Sequence, residues 1–347
     1  MKIAVDAMGG DFAPKEIVTG SVAAAKKYGC SVVLVGDEPQ IREVLDTLPG
    51  WDKLDISIHH TTEIIGMGEH PAKAVMRKKD ASVVVATRLV SEGECDAVLS
   101  AGSTGAAVTA AQFILKRIKG IDRPSIATPM PSPEGTTLLM DSGANVDCKP
   151  RHLMQSAMMG SVYAKYVLGI ENPRVGLLNI GEEETKGNEQ ARTTYPLLKQ
   201  MKTINFLGNA EGRDIPKGTF DVVVCDGFVG NVVLKFGEGL AKTIIGLLKE
   251  AVKEGGLRAK LGALLLMPAC KKLARRLDVE ENGGAPLLGV DGCCIIAHGS
   301  SSAKSIKSAI GMADGYVKGD VLAHIEEAIM KEEILDDAAL TGKSRNE

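Results

Sequence analysis

The chain has 347 residues, 44% of them apolar and only 3% aromatic, and a formal charge of −3 at neutral pH. That length supports one large α/β domain or two smaller ones, and the near-neutral balance excludes the global basic field that draws in nucleic acid. The seven cysteines are scattered without a C-x-x-C pair, and no histidine stands at metal-ligand spacing, so the expectation is a cytosolic chain with reduced thiols, no signal peptide, no metal and no cofactor.

Short Val/Ile/Leu-rich runs predict strands at 2–5, 31–35, 96–100, 136–140, 174–179, 221–225 and 294–298. They are continuously apolar rather than alternating, as in strands covered on both faces. Helical spacing stands between them, at Val108, Ala111, Leu115 and Ile118, and again at Phe236, Leu240, Ile244, Leu247 and Leu248. The alternation predicts a doubly wound α/β fold, a mostly parallel sheet with helices on both faces. One catalytic domain is expected over 1–335, with an amphipathic helical segment at 250–280 standing out from it and a frayed polar tail at 336–347. Cys293 and Cys294 lie in the last apolar run and read as core packing. No apolar run is long enough to cross a bilayer.

In such sheets ligands bind beyond the carboxyl ends of the strands, so the strand-ending turns, expected along one sheet edge, carry the candidates. "VDAMGGDFAP" at 5–14 offers Asp6, Gly9 and Gly10; the aspartates either fix the turn or border a ligand. "DAVLSAGSTGAA" puts Gly102, Ser103, Thr104 and Gly105 at a helix start, where free N–H groups suit an anion and a plain tight turn is the competing reading. It is neither a Walker A loop nor a dinucleotide fingerprint. "DSGANVDCKP" at 141–150 adds Asn145. "GLLNIGEEETKGNE" at 176–189 breaks at Gly181, runs through Glu182–Glu184 and reaches Lys186, which is either a solvated charge among glutamates or the cation for an incoming anion. In "CDGFVGNVVLKF" at 225–236, Asp226 and Asn231 bracket Gly227 and Gly230; Asn231 reads as an N-cap or as a donor to an oxyanion. Residues 255–277 hold six basic residues and no acidic one, with Leu257, Leu261, Leu264, Leu265 and Leu266 among them. That pattern suits an anionic lipid surface and equally a core or dimer helix with its cationic face in water. "AHGSSS" at 297–302 contributes His298, Gly299 and Ser300. Neither Ser103 nor Ser300 lies in G-x-S-x-G, so serine catalysis is not indicated.

Taken together and in this order, "DAMGGDFAP", "RKKDAS", "SAGSTGA", "GIDRPSIA", "GANVD", "MGSVYAKYV", "NPRVGLLNIGEEETKGNE", "CDGFVGNVVLK", "GGAPLLG" and "AHGSS" resemble the bacterial phosphate acyltransferase family of phospholipid synthesis. The resemblance implies a fold akin to phosphotransacetylases and isopropylmalate dehydrogenases. It implies conversion of a long-chain acyl-acyl carrier protein and inorganic phosphate to acyl phosphate and free carrier protein. It further implies a homodimer at the inner face of the cell membrane, feeding a membrane glycerol-3-phosphate acyltransferase. The lysine and asparagine implicated in that family's activity fall on Lys186 and Asn231. The remaining turn residues, from Asp6 to Ser300, become candidate phosphate contacts. Residues 255–277 become a membrane contact, with the leucines inserted and Lys271, Lys272, Arg275 and Arg276 near headgroups. An acidic carrier protein needs a basic docking patch, for which Lys271, Arg275 and Arg276 compete with Arg77–Lys79. Three positions depart from the family pattern: Ser103 stands for Asn, Val229 for Thr, and Ala81 for Ser. Rival readings are a CoA-dependent phosphate acetyl- or butyryltransferase, an NAD-dependent hydroxy-acid dehydrogenase, for which the expected carboxylate cluster is missing, and a non-catalytic lipid-binding module.

Overall fold

The structure is a computed structural model that describes residues 1–133, 135–277 and 283–343, without the side chains of 270–277 and 333–343. The strands are β1 (Lys2–Asp6), β2 (Ser31–Gly36), β3 (Ile56–His60), β4 (Ala97–Ser100), β5 (Ser125–Ser132), β6 (Gly135–Met140), β7 (Arg174–Asn179), β8 (Asn205–Glu211), β9 (Val222–Val224), β10 (Ala285–Leu288) and β11 (Cys293–Ile296). The helices are α1 (Lys15–Tyr28), α2 (Glu38–Leu45), α3 (Pro71–Arg77), α4 (Ser82–Ser91), α5 (Thr104–Ala110), α6 (Pro150–Tyr166), α7 (Glu189–Gln200), α8 (Gly227–Glu254), α9 (Gly256–Leu277), α10 (Ala303–Lys318) and α11 (Val321–Lys343).

The apolar runs become strands because both of their faces are buried. Ile3 and Val5 of β1, Val32 and Leu34 of β2, Ala97 and Leu99 of β4, and Cys293 and Ile295 of β11 join one core cluster. Their alternate neighbours, Ala4, Val33, Val35, Val98, Cys294 and Ile296, join a second. The period of two therefore survives, with each face covered by helices. Cys293 and Cys294 thus pack on opposite sides of one strand, as core residues.

The strand order is β3-β2-β1-β4-β11-β10-β5-β6-β9-β7-β8. β3, β2, β1, β4 and β11 form one parallel block, and β6, β9, β7 and β8 form another. Antiparallel pairings of β10 with β11, β10 with β5, and β5 with β6 link them, so the two blocks point in opposite directions. The single sheet edge expected from the sequence is thereby corrected to two sets of carboxyl ends.

Every strand read from the sequence forms, while β3, β5, β8 and β10 were not legible. β5 contains Pro129 and Pro131, which cannot donate to a ladder. It tolerates them because β10 pairs only with Ser125 and Ile126, leaving the proline-bearing half paired with β6 on one side. The helix expected through Val108–Ile118 ends early: α5 passes into a π turn over Ala111–Leu115, and Lys116 leaves it at φ 72. Ile118 is still buried, its N–H on the Gly289 carbonyl. α11 continues through Lys343, so 336–343 is helical rather than frayed, and the end of the expected tail lies outside the described residues.

α8 forms as read, but Phe236, Leu240, Ile244, Leu247 and Leu248 do not pack on the sheet; all are exposed. α8 also packs against α9, where Leu257, Leu261, Leu264, Leu265 and Leu266 are exposed too, Leu265 at 82%. The side chains of Lys271, Lys272, Arg275 and Arg276 lie outside the described residues. No described helix is long and apolar enough to cross a membrane.

Candidate functional site

In the first block, the adjacent strands β1, β4 and β11 deliver three glycine turns to one place. The Asp11 N–H donates to the Gly299 carbonyl at 2.8 Å, joining the β1 turn to the β11 turn across β4. Gly10, at φ 117, lies against the carbonyls of Gly299 and Ala101, and a Cβ at Gly9 would press on the Asp6 carboxyl and the Gly102 amide. These contacts require glycine for close backbone approach. Gly105 answers a different need: a Cβ there would strike Pro71 of α3.

Asp6 lies beneath this junction, 3% exposed. Its Oδ2 accepts from Ser100 Oγ at 2.7 Å, and Ser100 Oγ in turn accepts the Gly102 N–H at 3.2 Å. Oδ1 makes no hydrogen bond among the described residues, although Ser82 and the Met8 and Gly9 amides are nearby. Burial, opposed by those neighbours, pushes the carboxyl up. Between the unfolded value and this raised folded value the folded state binds the extra proton, so stability falls as pH rises through that window. Asp6→Asn, neutral throughout, is expected to be at least as stable as the parent at pH 7 and to lose that advantage towards pH 4. Urea midpoints across the range measure it, and a clear loss at pH 7 contradicts it.

Ser103 caps α5 through the Ala106 N–H, so the exchange of Asn for Ser keeps a good N-cap in place. Thr104 is exposed beside it. Ala81, by contrast, begins α4 with no side-chain cap.

In the second block, β6, β9 and β7 are again adjacent, and at roughly 4.8 Å between strands their carboxyl ends span about 10 Å. The turn after β6 is organised by Asp141, which the sequence reading passed over. Its Oδ1 accepts the N–H groups of Ile126, Gly143 and Ala144, and its Oδ2 accepts the Asn145 N–H and Asn145 Nδ2 at 2.8 Å each. Asn145 spends its remaining amide proton on the Pro124 carbonyl. Its amide nitrogen thus clamps the turn instead of facing a ligand.

That turn seats the start of α8. The Gly227 N–H donates to the Asn145 carbonyl at 2.7 Å, and a Cβ at Gly230 would collide with the Asp141 carbonyl. Asp226 is the N-cap, accepting from the Val229 N–H at 2.8 Å. The cap therefore does not fall to Asn231, whose side chain lies against Gly143, exposed and without a hydrogen bond among the described residues. Val229 leaves every bond of that cap intact.

Lys186 sits on the loop after β7. Asn179 Nδ2 holds the Lys186 carbonyl at 3.1 Å and Asn209 Nδ2 holds the Glu183 carbonyl at 2.9 Å. Two of the neighbouring glutamates are engaged elsewhere, Glu184 with Lys199 and Tyr195, Glu182 with Arg213. The Lys186 ammonium is exposed and makes no ion pair among the described residues.

One contact joins the two sets of turns. Lys235 Nζ of α8 lies 3.0 Å from His298 Nε2, and His298 Nδ1 lies 2.8 Å from Ser300 Oγ. The imidazole thus faces an ammonium where an activated serine would need a carboxylate, so this is not a serine triad. Nearby thiols are not ready nucleophiles either, since burial pushes Cys225 well up and Cys148 up to about 12. Three or more His, Cys, Asp or Glu side chains nowhere group as a metal site among the described residues. A pocket of about 510 Å³ between α6 and α11, lined by Lys165, Tyr166, Lys202, His324 and Lys331, is formed by neither set of turns.

Comparison with known proteins follows this geometry. A family model described as fatty acid synthesis protein matches residues 1–324. A phosphate acyltransferase of Pelotomaculum thermopropionicum is 54% identical over 334 residues, covering 96% of each chain. One from Desulfitobacterium hafniense is 55% identical over 330 residues, 95% of this chain and 98% of its own. Among solved structures, a phosphotransacetylase from Streptococcus pyogenes aligns at TM-score 0.60 with 19% identity, over 91% of this chain and 94% of its own, a likeness of fold.

Proposed function

Because the chain belongs to the fatty acid synthesis protein family and is a phosphate acyltransferase, we propose that its donor is a long-chain acyl-acyl carrier protein and its acceptor inorganic phosphate. The observation that carries this reading is Lys186, an ammonium without an ion pair among the described residues, on the anchored loop after β7, the strand adjacent to the one that leads into Asn231.

Phosphate is ionised at neutral pH and needs positioning and charge compensation more than a general base. A phosphate oxygen attacks the thioester carbonyl, the carbon–oxygen bond forms, and the carbonyl oxygen becomes an oxyanion. Collapse breaks the carbon–sulfur bond, and the proton carried by phosphate ends on the departing thiol. Lys186 holds the phosphate and then the oxyanion, Asn231 donates a hydrogen bond, and the turn after β4 supplies the Ser103, Thr104 and Gly105 N–H groups. Asp6, Asp141, Asn145 and Asp226 shape the turns rather than touch the substrate.

The decisive experiment incubates the full chain with long-chain acyl-acyl carrier protein and phosphate, and traps the product with hydroxylamine. Acyl hydroxamate is expected from that donor in preference to acyl-CoA. Preference for acyl-CoA would favour a phosphotransacetylase-like donor, and no product from either would overturn the reading.

The apolar face of α8 and α9 supports a homodimer and attachment to the membrane that receives acyl phosphate for glycerol-3-phosphate acylation. For α9 we assign the lipid contact. The pair Leu264→Glu and Leu265→Glu is expected to abolish co-flotation with anionic liposomes; unchanged binding contradicts it. For the carrier protein, Lys78 is already spent on Glu69 and the Ile64 carbonyl, which leaves Arg77 and Lys79 of that patch.

A further inference from the structure

We propose that Lys235 is a second phosphate-binding ammonium of the acyl-transfer site, held in place by His298 and Glu238. The inference rests on the reading above and deepens it.

Lys235 lies four residues beyond Asn231, and residues so spaced share one face of a helix. Its placement is unusual for a helix lysine. The Glu238 contact, at 3.3 Å, is an ordinary i,i+3 pair. The His298 contact is different, because it reaches from the second block to a turn of the first, 63 residues away in sequence. An ammonium can only donate, so His298 Nε2 must accept, which puts the ring proton on Nδ1, opposite Ser300 Oγ. The Ser300 N–H, 3.2 Å from Nδ1, would favour the other tautomer, but that tautomer leaves the lysine without its acceptor. The imidazole thus orients the ammonium. Two of its three donors are engaged, and one is left at a side chain that is 49% exposed.

A phosphate group carries more than one negative charge at neutral pH, and Lys186 supplies only one cation. One further source of positive potential at this junction, the N-terminus of α10, is already occupied. Ser302 Oγ caps the Ser305 N–H, and Glu16 Oε2 accepts the Ala303 N–H at 2.6 Å. Lys235 adds a cation there for an anion.

The test compares full-length parent, Lys235→Ala, Lys235→Arg and His298→Gln. Initial rates are measured with phosphate varied, and so is the shift in thermal midpoint caused by inorganic phosphate alone. Lys235→Ala is expected to raise the phosphate KM about tenfold or more and to remove the phosphate-induced shift, while the acyl-donor KM stays within about twofold. Lys235→Arg recovers most of both, and His298→Gln falls between. A purely structural lysine would lower the thermal midpoint without moving the phosphate KM, and that result overturns the proposal. An active parent with indifferent Lys235 variants refutes this inference alone. A parent that neither turns over nor responds to phosphate refutes the functional reading with it.

Discussion

Lys186→Ala is expected to lower turnover by about 10²–10³, the usual cost of removing one group that stabilises a developing oxyanion, with the thermal midpoint unchanged. The two halves of this expectation come from different observations. Turnover should fall because the ammonium has no ion-pair partner among the described residues, so its charge is available to an incoming anion. Stability should hold because the loop is fixed through its backbone, by Asn179 on the Lys186 carbonyl and Asn209 on the Glu183 carbonyl. Neither bond involves the lysine side chain. Hydroxamate formation and a melting curve on the same preparation measure both, and turnover within about threefold of the parent would remove Lys186 from the mechanism.

The second large effect falls on folding. Asp141→Ala is expected to cost about 3 kcal/mol or more, since a buried donor left unsatisfied costs about 1–3 kcal/mol and this carboxylate receives five. Burial pushes the carboxyl up, yet each of those donors works against protonation. Asp141→Asn should fall between the parent and Ala, because an amide keeps one acceptor but turns its own NH₂ on donors. Denaturant midpoints give the order, and a neutral Asp141→Ala would show that the turn holds without its anchor.

The legible parts of the molecule are those whose reasons are local. Strands buried on both faces announce themselves as unbroken Val/Ile/Leu runs, and the turns that follow them carry glycine because backbones meet there. β5 and β10 hide behind prolines, and β3 lies partly exposed at the sheet edge, so none of the three looks like a core strand in one dimension. The opposed direction of the two blocks is invisible because it depends on which strands pair, a long-range choice. Asp141 was overlooked in favour of Asn145, since an amide in a turn looks like a ligand until its partners are seen. Helical spacing from Asn231 would have pointed to Lys235, but its value depends on His298, which only the folded chain brings near. Phe236, Leu240 and their neighbours were read correctly as one helix face; what covers that face is not written in the periodicity.

The position of β11 between β4 and β10 bears on how the chain is made. During synthesis, residues up to Asp291 emerge before the strand that completes the first parallel block, so β4 waits with a bare ladder and the glycine junction lacks its Gly299 partner. Insertion of a late strand into the middle of a sheet is a non-local closure of the slow kind. Nascent chains stalled before Cys293 are therefore expected to be protease-sensitive and reliant on chaperones, and catalytic competence should arrive abruptly once α10 and the buried Val321, Ile325 and Ile329 of α11 have also left the ribosome.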